Sequence, residues 1–213
     1  MPRRDYPFYD LDDKLIGDAR LTGTTHYRVY RVDRPMIVLG RGSDAAAEVN
    51  MIAAKAGDVP IYRRCGGGCT VYLDPGNVVV SLAAPMGGIG DFRRHFDDIS
   101  RWIIAALARV GVDDVRHDGI SDLARGSRKV GGSCIHRAKD LLYYTTTLLI
   151  RPDLDAVERY LAHPPKEPGY RRGRRHRDFM GRLPIAGNDI VRFEMELTAA
   201  LGEASLDLSE PRA

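Results

Sequence analysis

The sequence predicts an α+β fold with a mixed, largely antiparallel central sheet flanked by helices. Strand-like segments with alternating apolar residues fill most of 26–84 and 118–150, and helical spacing is limited to a few segments. Blocks of strands separated by few helices are typical of α+β proteins, whereas a doubly wound sheet would alternate strand and helix. The length of 213 residues is enough for one domain with a hydrophobic core.

The first half of the chain is predicted to consist mainly of strands. Residues 26–33 and 36–40 alternate in polarity and are separated by an Arg-Pro turn. Residues 43–57 predict one short helix that is capped by Ser43 or Asp44. Further strands are predicted at VPIYRR, CTVYL and VVVSLAA, with a DPGN turn before the last of them.

The second half contains the clearest helical pattern. Residues 91–110 place apolar side chains three and four positions apart, which predicts a helix with one buried face. Strands are predicted at SDLARG, RKVGGSCIHR and LLYYTTTLLI, and helices at 154–161 and 188–204, the latter capped by Asn188. The buried face of the 91–110 helix would comprise Phe92, Phe96, Ile99, Ile103, Leu107 and Val110; that of the last helix would comprise Ile190, Val191, Glu194, Leu197 and Leu201.

The composition excludes some classes of protein. A net charge of +3 is too small to indicate a nucleic-acid-binding protein. No apolar run approaches the roughly 18 residues of a membrane span. The N-terminal residues lack the apolar segment of a signal peptide, and an odd number of cysteines, three, is typical of a reducing compartment. A cytoplasmic protein that does not bind membranes is therefore expected.

Three consecutive glycines, 66–68, lie between two arginines and a strand in RRCGGGCTVYLDPGN. Their N–H groups can donate to a phosphate-bearing or flat ligand that approaches the main chain, and Arg63 and Arg64 can donate in pairs to a phosphate or carboxylate. The segment lacks the Gly-Lys-Ser/Thr of a P-loop and the helix that follows a Rossmann turn. A glycine-rich hairpin without a ligand is the alternative.

A second basic and glycine-rich segment occurs at SRKVGGSCIH. Lys129 precedes two glycines in a predicted strand, from which it can reach the same cleft and contact a carboxylate or phosphate. A solvated surface lysine is the ordinary alternative. The repeated combination of basic residue and paired glycines favours the ligand-binding interpretation.

These motifs resemble the lipoate–protein ligases and their octanoyltransferase relatives. RRCGGGCTVYLDPGN resembles the family signature Arg-Arg-x-Ser/Thr-Gly-Gly-Gly-x-Val-x-His-Asp-x-Gly-Asn, and RKVGGSCIH resembles its Lys-x-Ser-Gly-Ser-Ala segment. GRGSDAAAEVN and the arginine-rich GYRRGRRHRDF resemble two further family segments. The four blocks occur in the family's order and cover about residues 35–180.

The resemblance implies a catalytic-domain fold shared with biotin ligases. It also implies that ATP and Mg²⁺ activate lipoate or octanoate to an acyl-AMP, from which the acyl group passes to a lysine of a lipoyl-carrier domain. Lys129 would be catalytic, at the carboxylate and the adenylate phosphate. The acyl-adenylate site would comprise Arg64, Gly66, Gly67, Gly68, Val71, Asn77, Gly131, Ser133 and Thr145.

Several positions depart from the family pattern. Cys65 replaces Ser or Thr, Leu73 replaces His, and Thr145 stands where many ligases have His. The chain is expected to be a single catalytic domain over 1–213 without the accessory C-terminal domain of larger ligases. A separate small accessory subunit is therefore one expectation, and an enzyme that does not use ATP is another.

Cys134 is the candidate nucleophile of that second possibility, an octanoyl or lipoyl transferase that takes the acyl group from acyl carrier protein as a thioester. Arg128, Lys129 and His136 could lower the pKa of its thiol. A small buried cysteine under the sheet is the structural alternative. Zinc at Cys65, Cys69, Cys134 and His136 is a further alternative, but glycine spacing of this kind is unusual for a zinc knuckle and no metal site is predicted.

The segment 166–177, KEPGYRRGRRHR, concentrates positive charge. It is expected to lie over the cleft, where it would attract a nucleotide phosphate or an acidic carrier domain. A solvated mobile loop is the structural alternative. A non-catalytic homologue that binds lipoyl domains or nucleic acid remains the non-enzyme interpretation, although nucleic acid is not favoured because Tyr170 is the only aromatic residue in the segment.

Overall fold

A computed structural model describes residues 5–86, 92–138, 140–185, 187 and 189–208 of the protein. The helices in this part of the chain are α1 (Asp13–Thr22), α2 (Ala45–Glu48), α3 (Met51–Ala56), α4 (Phe92–Arg109), α5 (Leu154–Tyr160), α6 (His176–Phe179) and α7 (Ile190–Glu203). The strands are β1 (His26–Tyr30), β2 (Met36–Leu39), β3 (Ile61–Arg63), β4 (Val71–Leu73), β5 (Asn77–Pro85), β6 (Val115–Asp118), β7 (Asp122–Arg125), β8 (Arg128–Arg137) and β9 (Leu141–Leu149).

Two sheets of different size form the framework. The larger has six antiparallel strands in the order β1-β5-β9-β8-β7-β6. The smaller has β2 at its centre, parallel to β3 and antiparallel to β4. The α+β class with a mixed, largely antiparallel sheet is thus confirmed, although the predicted single sheet is divided in two. Strands β1 and β2, which are consecutive in the chain, belong to different sheets.

The single helix predicted over 43–57 is wrong, because the chain breaks it into α2 and α3. Val49 is extended and forms an isolated bridge with Leu161. Asn50 then caps the second helix by accepting from the N–H of Ala53. The predicted cap Asp44 is confirmed, since its side chain accepts from the N–H of Ala46.

Helices α4 and α7 cover one face of the six-stranded sheet and form the main core with it. Four members of the predicted α4 face, Phe96, Ile99, Ile103 and Leu107, are buried. Burial of each such side chain stabilises the fold by about 1.5–3 kcal/mol relative to leaving it exposed. The Phe92 side chain lies outside the described residues, and Val110 is only partly buried beyond the helix end.

The last helix differs from its prediction in two details. Asp189 caps α7 by accepting from the N–H groups of Val191 and Arg192, whereas the predicted cap Asn188 lies outside the described residues. Val191 is half exposed, and Phe193 takes the buried position instead. In the part of the chain that the structure describes, no helix is both long and apolar enough to cross a bilayer.

Candidate functional site

A cavity of about 1000 Å³ lies between the two sheets. Its wall includes the exposed face of β5, β8 and β9, the segment that links β3 to β4, and residues 164–171. Most of the predicted site residues line it: Arg64, Gly67, Gly68, Val71, Lys129, Ser133, Cys134 and Thr145. The three that do not are Gly66, Asn77 and Gly131.

The segment 64–70, the glycine loop, is held by its own arginine. The Arg64 guanidinium donates to the carbonyls of Gly67 at 2.7 Å and Cys69 at 2.8 Å, and to that of Val38 at 3.1 Å. Arg64 is buried, and these carbonyls engage the donors that were expected to bind an anion. Its role in the structure is therefore to fix the loop beside the cavity.

Arg63 likewise does not supply a donor to the cavity. Its fully buried guanidinium forms a bidentate pair with Asp5 at 2.9 and 2.8 Å. It also donates to the carbonyls of Gly40 and Ser43 at 2.7 and 3.0 Å. Arg63 thus binds a carboxylate through two hydrogen bonds, as predicted, but this carboxylate is the Asp5 side chain and not a ligand.

The predicted site glycines differ in what surrounds them: two border the cavity, and two are buried against other segments. Gly67 and Gly68 are exposed to the cavity, as predicted. A Cβ on the buried Gly66 would lie 2.5 Å from Cys134 Sγ, and one on Gly131 would lie 3.1 Å from the Thr147 carbonyl oxygen. Gly66 and Gly131 are therefore required for packing between segments. Asn77 is also buried, and its side-chain amide has no hydrogen-bond partner among the described residues.

Lys129 lies on the cavity wall and is paired with an acid. Its Nζ is 2.7 Å from Asp122 Oδ1, and its side chain covers Gly132, whose Cβ would lie 2.7 Å from Nζ. The Tyr170 hydroxyl donates to Asp122 Oδ2 at 3.0 Å. Only 28% of the Lys129 side chain is exposed, so the solvated-lysine alternative is wrong. Asp122 was not among the predicted site residues, although a half-buried lysine requires a counter-charge of this kind.

Cys134 is not an activated thiol. Burial raises the pKa of Cys134, and the nearby Arg64 opposes that shift without overcoming it. His136 shares the strand face as expected, but burial lowers the pKa of this imidazole, with contributions from Arg41 and Arg20. The prediction that Arg128, Lys129 and His136 lower the Cys134 pKa is therefore wrong, and the thiol packs against Gly66.

The cysteines do not assemble a ligand set. Cys65, Cys69 and Cys134 are all free thiols, and burial raises the pKa of Cys65 to about 11. Across the described residues, no three His, Cys, Asp or Glu side chains are grouped so that they could hold a metal ion. The zinc alternative thus gains no support from the geometry.

Val71 and Val79 form an apolar slot in the cavity, and Thr145 lies beside it. Ser133 also lines the cavity, with its hydroxyl 2.7 Å from that of Tyr144. Ser81, on the same strand as Val79, is fully buried and does not line the cavity.

A buried polar network lies behind this slot. Asp12 Oδ2 accepts hydrogen bonds from Tyr143 at 2.6 Å, Ser81 at 2.7 Å and Tyr30 at 2.9 Å. The Tyr9 and Tyr30 hydroxyl oxygens are 2.8 Å apart, and a further 3.1 Å separates Ser81 Oγ from Thr145 Oγ1. No sequence motif predicted this network, because its members come from distant parts of the chain.

Residues 166–177, which we call the basic strap, line the cavity through residues 166–171 and His176, whereas 172–175 and Arg177 do not line it. Arg171 is 4% exposed, stacks on Phe179 at 4.9 Å and lies 3.4 Å from Glu167. Its Nη2 has no hydrogen-bond partner within the described part of the chain. The Gly173 N–H donates to Glu167 at 2.8 Å, so the strap is ordered by internal contacts and the mobile-loop alternative is wrong.

His176, near the end of the basic strap, is buried and lines the cavity. Burial lowers the pKa of this imidazole to about 4, and the charges of Arg171 and Lys129 act in the same direction. The side chain is therefore neutral near pH 7.

Comparison with known proteins defines the class. The fold is that of solved lipoate–protein ligases: a bi-partite ligase described with its E2 lipoyl domain from Thermoplasma acidophilum has a TM-score of 0.73 at 19% identity, over 95% of this chain and 84% of that one. A lipoate–protein ligase A bound with ATP has a TM-score of 0.72 at 18% identity, over 92% of this chain and 83% of that one.

The chain belongs to the lipoyl protein ligase A/B catalytic domain family, whose model matches residues 9–185. Lipoate–protein ligase 1 of Staphylococcus aureus is 29% identical over 135 residues, which are 63% of this chain. The match spans only 40% of that relative's own length.

Proposed function

We propose that the protein is an ATP-dependent lipoate–protein ligase-like enzyme. The observation that carries the proposal is the pair of half-buried Lys129 and buried Asp122, with Nζ and Oδ1 2.7 Å apart, at a cavity that also offers an apolar slot. A fixed cation beside an apolar slot suits a fatty carboxylate, and the same charge stabilises the oxygens of a phosphoryl group in the transition state.

The proposed reaction has two steps. A carboxylate oxygen of lipoate or octanoate attacks the α-phosphorus of ATP, and pyrophosphate leaves to give the acyl-AMP. The amine of a carrier-domain lysine then attacks the acyl carbonyl, and AMP leaves with the bonding electron pair. Lys129 would neutralise the carboxylate in the first step and the α-phosphate in both, which is worth about 100–1000-fold in rate for comparable single donors. The attacking amine loses one proton to solvent as the amide forms.

The nucleotide is assigned to the part of the cavity between the glycine loop and the basic strap. Gly67 and Gly68 leave room for a phosphate to approach the main chain, and Arg171 Nη2 is a buried donor without a partner among the described residues. Mg²⁺ would enter with ATP and be held by its phosphate oxygens, because both Asp122 oxygens are engaged by Lys129 and Tyr170. Mg²⁺ would offset phosphate charge when bound.

The partners follow from the same proposal. The acyl acceptor would be a lipoyl-carrier domain, which docks where the exposed arginines of the strap attract acidic side chains. The Thermoplasma ligase is described as bi-partite, which supports the proposal that a separate small subunit completes the adenylation activity here. A cytoplasmic location and a single catalytic domain over 1–213 remain predictions.

The thioester mechanism at Cys134 is not favoured. Attack on a carrier-bound acyl group requires a thiolate, and the burial that raises the Cys134 pKa opposes its formation.

The proposal is tested by the intact mass of an apo lipoyl-carrier domain after incubation with the protein. One reaction contains lipoate and ATP/Mg²⁺, and AMP is followed in parallel; another supplies preformed lipoyl-AMP, which bypasses activation. We expect a lipoyl mass gain from lipoyl-AMP with the chain alone, and a loss of at least 100-fold in that rate for Lys129→Met. Lys55→Met is the matched control, because Lys55 is exposed on α3, away from the cavity lining.

The outcomes separate the parts of the proposal. Transfer from lipoyl-AMP without AMP formation from ATP would indicate a missing adenylation subunit. No transfer from either donor, but transfer from octanoyl-carrier protein that is lost in Cys134→Ser, would replace the ligase with a thioester transferase. No transfer from any donor would leave a non-catalytic binding protein.

A further inference from the structure

The Asp122 carboxylate is held from two directions. Its Oδ1 lies 2.7 Å from the Nζ of Lys129, which belongs to β8. Its Oδ2 accepts a hydrogen bond at 3.0 Å from the hydroxyl of Tyr170, which belongs to the basic strap. A carboxylate with one partner can rotate about its Cβ–Cγ bond, whereas a partner at each oxygen fixes it. Tyr170 therefore determines which oxygen Asp122 presents to Lys129.

The charges around Asp122 make this hydroxyl bond more than a packing contact. Asp118 lies directly opposite Asp122 in the β6–β7 pair, so two carboxylates are neighbours. Arg116 pairs with Asp118 at 2.8 Å, and Lys129 pairs with Asp122. Like charges that face each other across a strand pair are destabilising. The hydroxyl that donates to Asp122 Oδ2 offsets part of this repulsion.

The surroundings of Tyr170 keep it a donor. Its ring packs on Phe179, with the ring centroids 5.0 Å apart. Burial, and then the nearby Asp122 carboxylate, raise the pKa of Tyr170, so the hydroxyl keeps its proton over the physiological range. Because a carboxylate can only accept, the bond runs from the strap to Asp122.

Other hydrogen bonds join the strap to the turn between β7 and β8. Arg174 Nη2 donates to the Ser127 carbonyl at 3.0 Å, and Arg128 Nη1 donates to the Arg177 carbonyl at 3.1 Å. These two bonds end on main-chain carbonyls. The Tyr170 bond, in contrast, ends on the acid that pairs with Lys129, so a movement of the strap changes the surroundings of that lysine.

We propose that Tyr170 is a positioning residue that links closure of the strap to the alignment of Lys129 through Asp122. The inference rests on the proposed function for the task of Lys129. With the strap against the cavity, Asp122 has one oxygen left for Lys129, whose other N–H groups can bind a carboxylate or phosphate. With the strap moved away, Asp122 is free to rotate and hold Lys129 with both oxygens. By linkage, an anion bound to Lys129 favours the closed strap.

The first test measures transfer from preformed lipoyl-AMP to an apo lipoyl-carrier domain, using the full chain and Tyr170→Phe. This substitution removes one oxygen and keeps the ring. We expect kcat to fall by about tenfold, as the loss of one hydrogen bond to a charged group allows. In the Lys129→Met background the same change should alter the rate by less than about twofold, because Tyr170 acts through Lys129. Tyr62→Phe is the matched control, since Tyr62 is on β3 and outside the cavity lining.

A second test follows the strap itself, without reference to catalysis. Hydrogen exchange is measured in the ligand-free chain by mass spectrometry. The amides of residues 166–177 should exchange at least about threefold faster in Tyr170→Phe, because one contact that holds the strap is lost. The amides of β9 should exchange at their wild-type rates in both Tyr170→Phe and Tyr62→Phe.

The outcomes separate this proposal from the proposed function. Unchanged exchange in the strap would overturn the link between Tyr170 and strap closure, whatever the transfer rate. A wild-type rate of transfer in Tyr170→Phe, or an equal loss with and without Lys129, would overturn the positioning role and keep the ligase. Faster exchange in a protein whose wild-type chain transfers nothing from lipoyl-AMP would overturn the ligase, and with it the task of Lys129, and keep Tyr170 as the contact that holds the strap.

Discussion

The three glycines of the loop show how neighbouring residues of one type can have different tasks. A Cβ on Gly66 would lie 2.5 Å from Cys134 Sγ and 3.3 Å from its Cβ, distances at which something must move. A Cβ on Gly67 would meet no atom within 4 Å. One glycine therefore lets the loop pack on β8, and the next leaves the cavity open.

Substitution of these two glycines should separate stability from binding. Gly66→Ala should lower the free energy of unfolding by about 1–3 kcal/mol, because the thiol has no room to move. Gly67→Ala should change it by less than about 0.5 kcal/mol. Urea denaturation measures both, and Cys134→Ala in the Gly66→Ala background should recover part of the loss. Equal stability of the two single variants would contradict this assignment.

At the residue scale, the sequence could locate the site but not its contacts. The motifs correctly placed Gly67, Gly68 and Lys129 at the cavity. They could not show that Arg64 is used to hold the loop, or that Asp122 faces Lys129. Asp12 and Tyr143 are 131 residues apart and meet only through the tertiary fold, so no local pattern indicates their bond.

The basic strap is the element whose behaviour was hardest to predict. Its charges suggest a solvated segment, yet Arg171 is buried on Phe179 and the exposed Arg175 and Arg177 pair with Glu158 and Asp155 on α5. Glu158 and Asp155, which belong to α5 and not to the strap, offset the charge repulsion among the arginines of the strap. The strap can therefore stay closed over the cavity.

The strap should loosen in acid because of His176. Its folded pKa of about 4 lies below the ordinary value of 6.5, so the unfolded chain binds more protons between these values. The free energy of unfolding should thus fall as the pH drops from 7 to 5, by on the order of 1–2 kcal/mol from this group. Urea denaturation at several pH values measures the slope.

The control is a histidine removed from another element. His176→Gln should reduce the slope, and His26→Gln, on β1, serves as the comparison. An unchanged pH dependence in His176→Gln would show that this imidazole has the same pKa in the folded and the unfolded protein.

Most strands were predictable because their β-branched and aromatic residues favour extended structure, even where a strand such as β2 or β5 is buried on both faces. Elements with weak hydrophobic periodicity could not be predicted from the sequence. β6 reads VRHD, with charged residues at half of its positions, and α1 carries charges on most sides. The break between α2 and α3 depends on the pairing of Val49 with Leu161, which is a tertiary contact.

For the whole molecule, the main consequence is that both sheets contribute to one cavity. Val38 and Val71 come from the smaller sheet, and Lys129 and Thr145 from the larger. A ligand that fills the cavity would contact both sheets at once and so stabilise their relative position.

A non-hydrolysable acyl-adenylate analogue should therefore protect both sheets. At a concentration of 100 times its Kd it should add about 2.7 kcal/mol to stability, which corresponds to a rise of roughly 5–10 °C in Tm for a chain of this size. Hydrogen exchange should slow in both β4 and β9. In Lys129→Met the shift in Tm should shrink. Protection confined to one sheet would contradict a shared cavity.

The strand order also determines when the cavity can form during folding. β6, β7, β8 and β9 are consecutive in the chain and pair as neighbours, so they close only short loops. β1 and β5, in contrast, join across long stretches of chain: Tyr30 pairs with Val79, and Val79 with Thr147. Such distant pairings are slow because loop-closure entropy is lost before contacts are gained. Val79 lines the cavity and lies on β5, the strand that makes both of these pairings, so this part of the cavity wall is assembled late, after the strand that carries Lys129 has paired with its neighbours.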